Sequence, residues 1–154
     1  LKIADDDTQA DMYLAAVEIL RSRGFRHYEI SNFAKKGCSS KHNMAYWRRT
    51  DYLGIGPSAH SFLKGVRYSA PEDTAAFILN PDPLQNPIPI SEQEADEEAV
   101  MLGLRTKEGI PLSLLPKGFD FDRYRDFSYI EKDRFILNER GFYLSNAIIQ
   151  GVLQ

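Results

Sequence analysis

Six consecutive residues, His42 to Trp47 (HNMAYW), hold a dense set of side chains able to do chemistry in this 154-residue chain. His42 offers an imidazole nitrogen to a metal, Asn43 an amide to a carboxyl or backbone group, and Tyr46 and Trp47 flat faces with polar edges. Arg48 and Arg49 follow directly and suit propionate-type carboxylates through charge-assisted bonds. Together these residue types fit a large flat ligand bearing carboxylates, and haem iron is a metal that a single histidine serves. A Trp and a Tyr packed in a core, with His and Asn tying down loop backbone, explains the same residues. Spacing alone does not separate the two.

A second constellation, GIGPSAHS (Gly54 to Ser61), reads as a strand end whose glycines let a ligand approach the backbone, with Ala59 and His60 beyond the turn. It is not a dinucleotide fingerprint, because the third glycine and the later acidic residue are missing. His27, in an alternating run, is expected to be an ordinary core or surface histidine. The carboxylates of EQEADEEA (Glu92 to Ala99) are expected on the solvent face of a helix. No nucleophile with a partnered base is identifiable.

Composition bounds the alternatives. With 43% hydrophobic and 27% charged residues the chain reads as globular, and no apolar run has the length of a membrane span. Membrane insertion is not expected. The single cysteine, Cys38, excludes an internal disulfide framework and a cysteine-only metal site, so a reducing cytoplasm is the expected location. The chain opens without methionine, which fits a piece of a longer protein. Net charge is −3 but unevenly placed: Arg21 to Arg67 holds ten Lys/Arg against two acids, or +8, and the rest nine against twenty, or −11. A basic segment on an acidic chain fits a local anion site better than a nucleic-acid partner, and solvated loop charge with no specific role explains it equally well.

The elements that must position these residues begin with a helix from the capping-box spacing of Thr8 to Asp11, its apolar face formed by Met12, Tyr13, Ala16, Val17 and Leu20 and its end at Gly24. FRHYEIS then reads as a strand with Tyr28 and Ile30 on one side. Residues 32–50 read as a long irregular segment, of a length that is usually either functional or disordered. A short strand at Tyr52 to Ile55 follows, then a short strand at VRY and a helix over PEDTAAFIL with Pro71 in its first turn. Four prolines between Asn80 and Ser91 forbid a helix or central strand there and mark a linker. Ser91 and Glu94 open a second capped helix with Ala95, Ala99 and Leu102 on one face. FDRYRDFSYIEKD is expected to be helical, RFIL to pair with FYL or lead onward, and a last helix to start at Ser145. The expected fold class is α/β (α+β).

In this order YEISNFA, HNMAYW, YLGIGPSAHSF and EEAVMLGLRTKEGI resemble the oxygen-independent coproporphyrinogen III oxidase family of radical-SAM proteins, and the histidine form of HNMAYW resembles its haem-chaperone branch. The resemblance runs from about Thr8 to Leu153. It implies the closing β/α elements of a partial radical-SAM barrel over 1–80, a proline linker over 81–90, and a small winged-helix-like domain over 91–154. It implies a 4Fe–4S cluster whose three cysteine ligands lie outside this chain, and S-adenosylmethionine bound near Ala59 and His60. It implies haem near HNMAYW, with His42 as axial metal ligand and Asn43, Tyr46 and Trp47 around it. Two activities follow: a haem chaperone serving an acceptor protein, and an oxidase that converts coproporphyrinogen propionates to vinyls. With one thiolate this chain is expected to be inactive alone, and an exposed barrel edge invites pairing with a second copy. A winged-helix DNA binder ranks last, because the region after residue 91 is acidic and lacks a basic recognition helix.

Overall fold

The computed structural model describes residues 3–154, so Leu1 and Lys2, which fall in the expected 1–80 unit, lie outside the described residues. Helix α1 (Asp6–Ser22) starts three residues earlier than the Thr8 box suggests, since the Asp5 carboxylate accepts the Thr8 N–H at 2.8 Å. Its inward face is Tyr13, Leu14, Val17 and Leu20, whereas Met12 (64% exposed) and Ala16 face out. The spacing was compatible with both stripes, and what α1 packs on decided between them. Gly24, at φ +80, makes the left-handed turn into β1 (Arg26–Glu29).

Strand β1 forms an antiparallel hairpin with β2 (Asn32–Ala34), with the register slipping between His27 and Glu29. The side it buries is that of His27 and Glu29, opposite Tyr28 and Ile30. The reason lies far along the chain. The Tyr28 carbonyl accepts from the Lys107 N–H (3.1 Å), the Ile30 N–H donates to the Arg105 carbonyl (2.8 Å), and Glu29 bridges to Thr106, so β1 is paired on both edges.

The stretch 32–50 is therefore not irregular: β2 is followed by helix α2 (Lys41–Trp47). Of the expected strand Tyr52 to Ile55 only Tyr52 pairs, with Phe62. Strands β3 (His60–Leu63) and β4 (Val66–Ser69) form a tight hairpin through Lys64 (φ 49) and Gly65 (φ 78). Helix α3 (Thr74–Leu79) is capped by Asp73, leaving Pro71 ahead of it. Within the proline-rich stretch, β5 (Ile88–Pro89) adds to the β4 edge, a place where proline's missing donor costs nothing.

Helix α4 (Glu92–Gly103) carries the expected Ser91/Glu94 capping box, with both reciprocal bonds made. Strands β6 (Ile110–Pro111), β7 (Ser128–Glu131) and β8 (Arg134–Leu137) form an antiparallel sheet in the order β6-β8-β7. The segment expected to be helical gives only a 3-10 turn at Asp122–Tyr124 before β7. Strand β8 pairs with β7, not with FYL, because Lys132 (φ 49) and Asp133 (φ 59) form a hairpin turn. Phe142 instead lies on α5 (Glu139–Tyr143), followed by α6 (Ser145–Val152). Leu104, Ile110, Phe135, Leu137, Phe142 and Ile149 anchor the core between α4, this sheet and the last helices, with Tyr13 of α1 packed against it.

His27 sits in this core. It stacks on Phe33 (centroids 4.1 Å apart) and meets Phe142 edge-on at 4.9 Å. Burial holds its pKa below the ordinary 6.5, with the nearby Lys107 charge acting in the same direction. The unfolded chain thus takes up a proton that the folded chain refuses. Stability is expected to fall as pH drops from about 7.5 to about 5.5, and His27→Gln to flatten that slope. Urea midpoints at both ends of the range check it, and equal slopes in the two proteins would refute it.

Candidate functional site

Helix α2 forms because Ser40 caps it, its Oγ accepting the Asn43 N–H at 3.2 Å, while Met44 is buried and fixes which side faces in. Arg49 at φ 52 ends it. Residues four apart share a face, so His42 sits over Tyr46 with rings perpendicular and centroids 4.8 Å apart. Tyr46 in turn meets Tyr52 (4.7 Å), which tilts against Phe62 (6.4 Å). This row of rings runs from an exposed His42 to a buried Phe62. Asn43 and Trp47, both half-buried, occupy the neighbouring stripe, and Trp47 lines a cleft of about 320 Å³ beside Ala99, Gly103 and Thr106. Among the described residues the His42 side chain has no hydrogen-bond or ion-pair partner.

The arginines are employed otherwise than the sequence suggests. Arg48 makes a two-point ion pair with Glu108, which holds the Glu108 carboxyl below its ordinary pKa. Arg49 Nε donates to Glu98 Oε2 at 2.9 Å, and Arg67 Nη2 donates to the other oxygen at 2.5 Å. Both guanidinium groups lie over the Phe62 ring, at 5.4 and 6.0 Å. Arg48 and Arg49 are thus occupied by carboxylates of this chain, not held ready for a ligand's propionates. Glu98, expected on a solvent face, is a bridge with an 18% exposed side chain. The signal for these pairs was the opposite charge of the two halves, which composition shows but cannot assign to partners.

Ala59 and His60 lie at the start of β3. The Ala59 carbonyl accepts the Ala70 N–H at 2.8 Å, and His60, exposed, pairs with Ser69. They reach α2 through Tyr52 and Phe62, whose backbones exchange hydrogen bonds of 2.8 and 2.9 Å. No ring contact or side-chain hydrogen bond joins them to His42. Gly54 does not open the backbone to a ligand: a Cβ there would run into the His60 carbonyl and lie 3.0 Å from Ala59 Cβ.

Glu98→Ala is expected to lower stability by about 2 kcal/mol, because it strands two guanidinium groups, one of them mostly buried. Glu108→Ala breaks a pair that is about half exposed and costs under about 1 kcal/mol. Denaturant titration of the two variants checks the order, and equal losses would contradict it.

Among the described residues no three His, Cys, Asp or Glu side chains gather as a metal site, and no helix is long and apolar enough to cross a membrane. No family model matches the chain. It is 31% identical over 167 aligned positions to the heme chaperone HemW of Lactococcus lactis subsp. lactis (strain IL1403), covering 99% of this chain and 44% of the relative. It is 37% identical over 122 positions to the mitochondrial Radical S-adenosyl methionine domain-containing protein 1 of Bos taurus, covering 71% and 28%. Coproporphyrinogen III oxidase HemN from Escherichia coli, a radical SAM enzyme, superposes with a TM-score of 0.64 at 13% identity, over 96% of this chain and 41% of that one. On these sequence identities the chain belongs to the coproporphyrinogen III oxidase-like radical-SAM family, and the shared fold agrees. Within that family its sequence goes with the heme chaperones named HemW, and it spans under half the length of the relatives it matches.

Proposed function

We propose that this chain is the C-terminal portion of a haem chaperone of the HemW type, with haem seated on the exposed face of α2 and His42 as axial ligand. The observation that carries this reading is the geometry of His42: an exposed imidazole, unpartnered among the described residues, edge-on to the Tyr46 ring. Asn43 and Trp47 flank it on the next stripe, and Lys41, exposed beside it, is a cation left to meet a propionate now that Arg48 and Arg49 are taken. Iron bound there would supply ligand-exchange chemistry, and the chain's own task is to hold and orient the macrocycle.

S-adenosylmethionine is assigned to the Ala59–His60 turn and the 4Fe–4S cluster to cysteines outside this chain, in keeping with the lone exposed Cys38. On this reading residues 1–80 supply the closing barrel elements, 81–90 the connection and 91–154 a winged-helix-like unit. The sequence of α4, a three-stranded antiparallel sheet and two final helices supports the last of these. The protein works in the cytoplasm and hands haem to an acceptor protein, and a free edge such as that of β7 is where a second copy would pair. Titration with haemin tests the central claim: a saturable Soret shift is expected, and its absence would remove the haem reading. The oxidase reading, favoured by the shared HemN fold, requires anaerobic conversion of coproporphyrinogen III by the cluster-loaded parent protein. No product beside a working control enzyme would end it.

A further inference from the structure

The net +8 of residues 21–67 is only partly used by the α2 ion pairs. A separate cleft of about 770 Å³ lies where the end of α1 meets β1 and the start of α5, walled by Arg21, Arg26, His27, Lys36, Lys107 and Glu139. We propose that this cleft binds a small ligand carrying two or more phosphate or carboxylate groups.

Four cations face one carboxylate there. Glu139 is already paired with Lys107, at 3.2 Å, while among the described residues Arg21, Arg26 and Lys36 have no carboxylate within ion-pair reach. The Lys107 ammonium also donates to the Leu137 carbonyl (3.3 Å) and lies 4.6 Å from the centre of the Phe142 ring, so it is a fixed charge at the floor rather than a mobile surface lysine. Arg21 lines the same cleft as Lys107 and Glu139. Gathering these charges without an anion is unfavourable, and an anion reverses the sign of that interaction.

The second observation is independent of charge. His27 is 8% exposed, and its Nδ1 is buried without a partner. Its Nε2–H is directed to the Ile30 carbonyl at 3.2 Å, so Nδ1 is left as an acceptor without a donor in the cleft wall. Phe33 and Tyr129 also line the cleft, whose volume leaves room for more than a bare ion. None of these residues belongs to the α2 face, and the proposal stands whether or not haem binds there.

Calorimetric titration of the chain with pyrophosphate and with citrate, against sodium chloride at matched ionic strength, tests it. Saturable binding is expected for at least one of the two polyanions and not for chloride. The arm that saturates tells phosphate from carboxylate as the chemistry preferred. Arg21→Gln with Arg26→Gln, both exposed positions, is expected to weaken binding at least about tenfold, while His42→Ala leaves it unchanged. Should the double variant fail to fold, Lys36→Gln in the exposed turn after β2 is expected to weaken binding as well. Failure of both polyanions to saturate, or equal affinity in the folded charge variants, overturns the proposal.

Discussion

His42→Ala is expected to weaken haemin binding at least about tenfold and to remove the histidine-ligated Soret position, while leaving the fold intact. The fold is safe because the position is exposed on the first turn of α2, where alanine is a better helix former than histidine. What is lost is the imidazole nitrogen and its edge contact with Tyr46, and a tenfold loss corresponds to about 1.4 kcal/mol. His60→Ala provides the control. It removes an exposed histidine from the same chain but from the start of β3, where no ring contact or side-chain hydrogen bond joins it to α2, so general imidazole scavenging of haemin would respond equally to both changes. Identical titrations for the two variants would remove His42 as the ligand without touching membership of the family.

The largest effect on stability is expected from Phe135→Ala, about 3–5 kcal/mol. The ring is 1% exposed and is ringed by Phe119 at 5.2 Å, Phe121 at 6.2 Å and Tyr124 at 6.4 Å, all edge-on or nearly so. Removing it opens a cavity between rigid aromatic walls, and rigid walls relax poorly into a void. Against the roughly 5–15 kcal/mol that holds a domain folded, this is a large share. Ile130→Ala sits directly opposite on β7 but is 52% exposed, and is expected to cost under about 1 kcal/mol. Chemical denaturation monitored by far-ultraviolet circular dichroism measures both, and a Phe135→Ala loss no larger than that of Ile130→Ala would show that this cluster is not the core.

What could be read from the chain before any coordinates was mostly local. Ser91 and Glu94 satisfy each other within one turn, so their spacing alone forecast α4. The strand at Ser128 hid inside a helix-like pattern because its hairpin turns on Lys132 and Asp133, neither of them the glycine or asparagine that announces such a turn. The inward face of β1 is chosen by residues 105–107, some 78 positions later, and no window on the sequence spans that distance. The same holds at the site. The residue types of His42 to Trp47 signalled their chemistry, but seven helical residues are too few to show a period. Nothing nearby revealed that Arg48 and Arg49 would be claimed by Glu108 and Glu98.

That claim has a mechanical result. Glu98 belongs to α4 and grips one arginine from the end of α2 and another from β4, with the Phe62 ring beneath both. The segment bearing His42 is therefore tied to α4 at a pivot of three charges, and Arg48 adds a second tie at Glu108. One carboxylate of α4 thus fixes where the helix that carries the imidazole can lie.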